Sequence, residues 1–311
     1  MTDHDGRPQQ GAPVVVVPGV QAGPGPASVR LRLDLSYDGT DFSGWAVQPG
    51  RRTVAGVLGE SLRTVLRAPV PLVVAGRTDA GVHALGQVAH IDVDPTALAA
   101  LTPRQGNLPA PTAALVGLNR RLAGLLPPDV RVRGIAAAAP GFDARFAALR
   151  RHYRYRVATS DWGASPMDRS FVLALRRELD HALMRRSATA LLGLHDFAAF
   201  CRPREGATTI RELQRLDVER VSGDEVHILV SADAFCHSMV RALVGALVAV
   251  GQGRAPVEMP AAVLAAGVRT AAVHVAPAHG LTLMAVDYPP DRELADRVGA
   301  TRATRSADEV G

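Results

Sequence analysis

The sequence predicts an α+β protein with a mostly antiparallel central sheet. Three observations carry this. The order strand, helix, strand, strand occurs twice along the chain. Neighbouring strands are joined by short turns, so hairpins lie beside amphipathic helices. The bulk composition, 47% hydrophobic and 21% charged over 311 residues, supports a sizeable core.

Residues 1–27 are rich in Pro, Gly and Gln and read as a disordered leader. Order is expected from residue 28, with an N-terminal half to 140 and a C-terminal half over 141–290. Val29 to Ser36 alternates apolar and polar strictly, as a half-buried strand does. Tyr37-Asp38-Gly39-Thr40 turns the chain into a loop holding Phe42, Gly44 and Trp45. Thr53 is placed to cap a helix whose apolar positions, Val54, Val57, Leu58, Leu62, Val65 and Leu66, keep helical spacing. The apolar run Leu72–Ala75 reads as a buried strand, and Gln87–Val93 as its return. Residues 94–114, with four prolines, read as mixed helix and loop before a helix over Val116–Leu126 that stops at Pro127-Pro128.

The second half repeats the order. His152 to Val157 alternates as a strand, Asp180–Leu194 is an amphipathic helix, and Leu213–Val221 and Glu225–Val230 form a hairpin about Ser222-Gly223-Asp224. No strong residue-level repeat accompanies the repeated order. A helix over Met239–Val250 and a strand over Leu281–Asp287 follow, and residues 291–311 read as a mixed-charge, poorly ordered tail.

Several function classes lose support at once. There is no Walker A motif, no Gly-x-Gly-x-x-Gly after a strand, no Gly-x-Ser-x-Gly elbow and no Cys-x-x-Cys. The two cysteines, Cys201 and Cys236, fit a reducing cytoplasm, and no apolar run reaches the roughly 20 residues of a membrane helix. The formal charge of +5 is carried without any lysine, so every fixed cation is an arginine, which suits a polyanionic partner and equally suits a GC-rich genome.

Gly76-Arg77-Thr78-Asp79-Ala80-Gly81-Val82-His83 stands out after the buried run. Its glycines permit a tight turn and close approach of a ligand, although in isolation an ordinary solvated turn is the better account of it. The helix over 239–250 holds one charge, Arg241, at the border of its apolar stripe. Such a cation reaches water or pairs with an acid, and Asp79 is the best candidate. Tyr153 shares a strand face with Tyr155, leaving two readings: core tyrosines, or a stacking platform with Arg150, Arg151, Arg154 and Arg156 on phosphates. His83, His237 and His274 read as structural.

These segments together resemble the bacterial tRNA pseudouridine synthase A family. Ala75–His83 with Gly86-Gln87-Val88 is similar to its catalytic motif. Tyr37–Thr40 with Phe42, Gly44 and Trp45, then Leu118-Asn119, Leu126-Pro127 and Asp129, resemble its N-terminal and middle segments. Ala144-Arg145-Phe146 with Arg151, Tyr153 and Tyr155, Ala234-Phe235 with His237 and Met239-Val240-Arg241, and Val286–Pro289 resemble the rest, over about residues 29–290. Ala46-Val47, where polar or basic residues are usual, and the proline-rich stretch 101–114 depart from the pattern.

The resemblance implies the pseudouridine synthase fold, built from two ferredoxin-like β-α-β-β halves with flanking helices. It implies isomerisation of uridine to pseudouridine at positions thirty-eight to forty of the tRNA anticodon stem-loop, by a cytoplasmic homodimer needing no cofactor or metal. Asp79 is then the nucleophile, Tyr153 packs on the target base, and Arg241 pairs with Asp79. Arg77 fills the space of the extruded base or steadies its backbone. Two other classes stay open: a non-catalytic tRNA-binding or chaperone protein, and a glycosidase-like hydrolase, which usually needs two flanking carboxylates.

Overall fold

Alternation in the first strand sets the layout of the sheet. In the computed structural model, which describes residues 28–103, 108–202, 208–270 and 273–302, β1 (Val29–Tyr37) buries Leu31, Leu33 and Leu35 on one face. Arg30, Arg32 and Asp34 lie on the other face. Thr53 caps α1 (Val54–Leu66), its side chain accepting from Gly56 N, a contact worth about 1 kcal/mol. Then come β2 (Val73–Val74), β3 (His83–Val93), α2 (Pro95–Ala99), α3 (Ala110–Leu125) and β4 (Val130–Ala137). The second set is β5 (Arg150–Ala158), β6 (Leu173–Ala174), α4 (His181–Thr189), β7 (Gly193–Asp196), β8 (Ile210–Arg220), β9 (Glu225–Ala232), α5 (Met239–Gly251), α6 (Met259–Ala266) and β10 (Leu281–Asp287). A last helix, α7, spans Leu294–Arg302.

The strand order along the sheet is β4-β1-β3-β10-β5-β9-β8-β7, with β2 on β3 and β6 on β5. Each half is therefore complete as β-α-β-β-α-β: β4-β1-β3-β2 in the first and β10-β5-β9-β8 in the second, antiparallel throughout. The sequence reading holds the closing helices of both halves and the closing strand of the second; β4, which it lacks, completes the first half and makes the two topologies the same. One parallel contact, Thr282 and Leu283 of β10 opposite His83 and Ala84 of β3, joins the halves into a single sheet. The leucines of β1, the inner residues of β5 and β9 and the helices share one core. Each fully buried leucine there contributes roughly 1.5–3 kcal/mol.

Several boundaries differ from the sequence reading. The buried run Leu72–Ala75 forms a strand only at Val73 and Val74, with Ala75 N adding one bond to Val88 O (2.9 Å). Helix α3 starts at Ala110 rather than Val116, because proline suits a helix's first turn. Helix α4 ends at Thr189; Gly193, at φ 108°, starts β7 instead of continuing to Leu194. Residues 291–302 are not a poorly ordered tail. They form a 3-10 turn and α7, anchored by buried Leu294. The leader expected over 1–27 lies outside the described residues.

Candidate active site

The site lies where the edge of β3 changes partner. β2 pairs with Ala89 and His90, and β10 takes over at His83 and Ala84. The chain between β2 and β3, residues 75–82, leaves the sheet at that seam. It carries Arg77 and Asp79.

The turn is clamped by the segment after β1. Tyr37 Oη and Thr78 Oγ1 are 2.8 Å apart, and Gln87 Nε2 donates both to Tyr37 Oη (3.2 Å) and to Gly76 O (2.8 Å). Trp45 N donates to Thr78 O (3.0 Å) and Gly81 N to Phe42 O (3.2 Å). A Cβ on Gly39 would lie 2.1 Å from Val82 O, and one on Gly44, at φ +94°, 2.9 Å from Thr78 O. Only glycine admits such approach. Phe42 and Trp45 are buried beneath the turn, so this segment holds the motif and does not offer its rings to RNA. His83 is structural as expected: Nδ1 accepts from Gly39 N (2.9 Å), Nε2 faces His279 O (3.1 Å), and burial pushes its pKa down.

Asp79 meets its partners from the start of α5. Arg241 Nη1 is 3.6 Å from Oδ2, Ser238 Oγ donates to Oδ2 at 3.4 Å, and His237 Nε2 is 3.5 Å from Oδ1. The expected pairing with Arg241 is thus present. All three contacts exceed the usual 2.7–3.2 Å of a strong hydrogen bond, so the carboxylate is surrounded rather than locked. Arg241 is itself aimed from behind. Its Nε donates to Ala276 O (2.7 Å) and its backbone oxygen accepts from Ala276 N (2.9 Å). Gly245 makes this possible: a Cβ there would fall 1.8 Å from His274 O.

Tyr153 comes from β5, its ring buried and met edge-on by Phe235 at 5.2 Å and 90°. Burial drives its phenol pKa far above the ordinary value, and the nearby Tyr37 and Asp79 push the same way. Tyr153 therefore keeps its proton at neutral pH. Arg77 is exposed on the turn, two residues before Asp79.

The four arginines of β5 do not form one phosphate-binding set. Arg151 is on the inner face with Tyr153 and is buried; alternation along the strand puts it there. Its guanidinium donates to Ala75 O (2.7 Å), Arg145 O (2.9 Å) and Asp233 O. It staples the Asp79 turn to the loop that leads to α5. Arg150, Arg154 and Arg156 lie on the opposite face. Arg156 pairs with Glu225 (2.6 Å) and Asp168 (3.0 Å), and Arg150 lies 3.4 Å from Asp287.

His237, Ser238 and Phe235 are site residues that the sequence reading left without a role. The signal was their place: His237 and Ser238 stand four and three positions before Arg241, on one side of a helix start. Cys236, next to His237, faces Cys201 with Cα atoms 5.7 Å apart, within disulfide reach; the reducing cytoplasm expected from the cysteine count would hold the pair as thiols. Among the described residues no group of three His, Cys, Asp or Glu side chains is arranged to hold a metal.

Comparison with known proteins bears on this arrangement. A family model described as tRNA pseudouridine synthase matches residues 187–289, which include His237, Ser238 and Arg241. A Frankia casuarinae protein named tRNA pseudouridine synthase A is 58% identical over 278 residues, covering 89% of this chain and 96% of its own. Proteins of the same name from Mycobacterium leprae (56%, covering 90% and 96%) and Streptomyces griseus (52%, covering 92% and 97%) agree nearly as closely. The chain belongs to the tRNA pseudouridine synthase A family. It is thus an isomerase, and the paired half-domains above are this family member's sheet. Among the described residues no helix is long and apolar enough to cross a membrane.

Proposed function

We propose that the protein converts uridine to pseudouridine at positions thirty-eight to forty of the tRNA anticodon stem-loop, with Asp79 as the nucleophile. The supporting observation is the meeting, at the seam of the two halves, of one carboxylate, one arginine and one buried protonated tyrosine. The reaction breaks the N1–C1′ bond and makes a C5–C1′ bond. C5 loses a proton and N1 gains one, so atoms balance without a co-reactant.

Asp79 holds one fragment covalently while the uracil turns, by attack at C1′ of the ribose or at C6 of the base. Arg241, 3.6 Å from Oδ2, directs the carboxylate between turns of the cycle. Tyr153 supplies the flat apolar wall against which the loosened base stays in plane. A base paired in a duplex must leave its stack to reach Asp79, and Arg77 on the exposed side of the turn is placed to occupy the space it vacates. We further read the enzyme as a cytoplasmic homodimer.

Mapping pseudouridine in tRNA from cells with and without the gene tests the assignment. Loss confined to positions thirty-eight to forty is the expected result. Unchanged modification there, or loss at another position, contradicts it.

A further inference from the structure

Asp79 has two oxygens, and they are treated differently. Oδ2 is shared by Ser238 Oγ (3.4 Å) and Arg241 Nη1 (3.6 Å), whereas Oδ1 faces only the His237 imidazole among the ion pairs and hydrogen bonds of the described residues (Nε2, 3.5 Å). The segment holding these groups is itself constrained. Ser238 sits at φ +65°, in the left-handed region that costs a non-glycine residue about 1 kcal/mol or more. It is also the residue that starts α5. Cys236 on one side packs beside Cys201 (Cα atoms 5.7 Å apart), and His237 O accepts from Arg202 N (3.0 Å). A strained serine beside a tethered loop, with both side chains turned on one carboxylate, is poorly explained by folding alone.

We propose that His237 is a positioning residue for Asp79, directing the carboxylate through Oδ1 while Ser238 and Arg241 direct it through Oδ2. This rests on Asp79 being the nucleophile. A carboxylate met at both oxygens presents one direction of attack, whereas one met only at Oδ2 can swing about its Cβ–Cγ bond. Misplacing a reacting group by about 1 Å costs on the order of 100-fold in rate, so loss of the Oδ1 contact should act on turnover and leave RNA affinity alone.

The test is steady-state pseudouridylation of an anticodon stem-loop RNA by the full-length protein, reading kcat and KM separately. His237→Gln keeps a side-chain donor of similar reach, and His237→Ala removes it. His237→Ala should lower kcat about tenfold with KM within about twofold, and His237→Gln should recover most of that loss. Ser238→Gly keeps the left-handed backbone and removes Oγ; it should slow kcat several-fold with KM unchanged. Equal losses for His237→Gln and His237→Ala, or a loss confined to KM, overturn the proposal. Asp79→Asn is run beside them. If it is active, the reading of Asp79 fails; if it is inactive while His237→Ala turns over like wild type, only the role of His237 fails.

Discussion

The two halves share one topology and use it differently. The connection between the second and third strands shows this best. In the C-terminal half it is the turn between β8 and β9, residues 221–224, closing an exposed hairpin whose Val221 is 57% accessible. In the N-terminal half the same connection is residues 75–82, clamped by Tyr37, Trp45 and Gln87 and carrying Asp79. The reason is the length of the second strand. β8 has eleven residues and fills the edge of β9, while β2 has two and leaves the edge of β3 free for β10. Shortening one strand opens the seam, and the seam makes the site.

The helices before the fourth strands differ in the same sense. Helix α3 buries a narrow stripe, Ala113, Ala114, Gly117, Leu118 and Leu122. In α5 every residue but Arg241 is buried, so its one cation is aimed inward at the other half.

The comparison breaks most easily at that cation. Arg241→Met should lower kcat on the order of 100-fold, since it removes the fixed charge that holds Asp79 through Oδ2. Steady-state kinetics that show the loss mainly in KM would move Arg241 into RNA binding instead. Next is the staple. Arg151→Met leaves three carbonyls without their donor and should cost about 2–4 kcal/mol, read as a fall in Tm of roughly 5–10 °C. Arg150→Ala, on the other face of the same strand, should stay within about 0.5 kcal/mol. Equal thermal shifts for the two would deny that Arg151 ties the halves together.

Gly245→Ala should cost about 1–3 kcal/mol, because the added Cβ drives α5 and residues 273–277 apart. Activity should fall further than stability accounts for, as Ala276 O withdraws from Arg241. Differential scanning calorimetry beside kcat separates these two effects. The smallest change belongs to the counterpart turn. Asp224→Asn should leave both Tm and turnover close to wild type, within about 0.5 kcal/mol. A marked loss of activity there would mean that the hairpin turn is also functional.

Much of this was readable from the chain, for identifiable reasons. Strict alternation at Val29–Ser36 and His152–Val157 fixes which side chains face inward, and a burial period of two tolerates no slip. Asp79 stands as the one acid in a glycine-rich turn and Arg241 as the one charge in an apolar helix, whereas Tyr153, among Arg150, Arg151, Arg154 and Arg156, has no such contrast and takes its role from the family resemblance. Arg151 was misplaced because neighbouring arginines invite reading as a basic patch, while the same alternation puts it on the inner face with Tyr153. His237 and Ser238 were missed because their contacts with Asp79 span 158 and 159 positions of the chain, a proximity that only the fold creates. The helix α7 was hidden because a mixed-charge segment anchored by one leucine, Leu294, carries little periodic signal.

The central claim is that the carboxylate on the seam turn performs the chemistry while the rest of the protein positions it. The most direct measurement is tritium release from an anticodon stem-loop labelled at C5 of uridine, with RNA binding followed in parallel, for wild type and Asp79→Asn. Asp79→Asn should bind the RNA nearly as well as wild type and release no tritium above background. Release by Asp79→Asn at the wild-type rate would contradict the account.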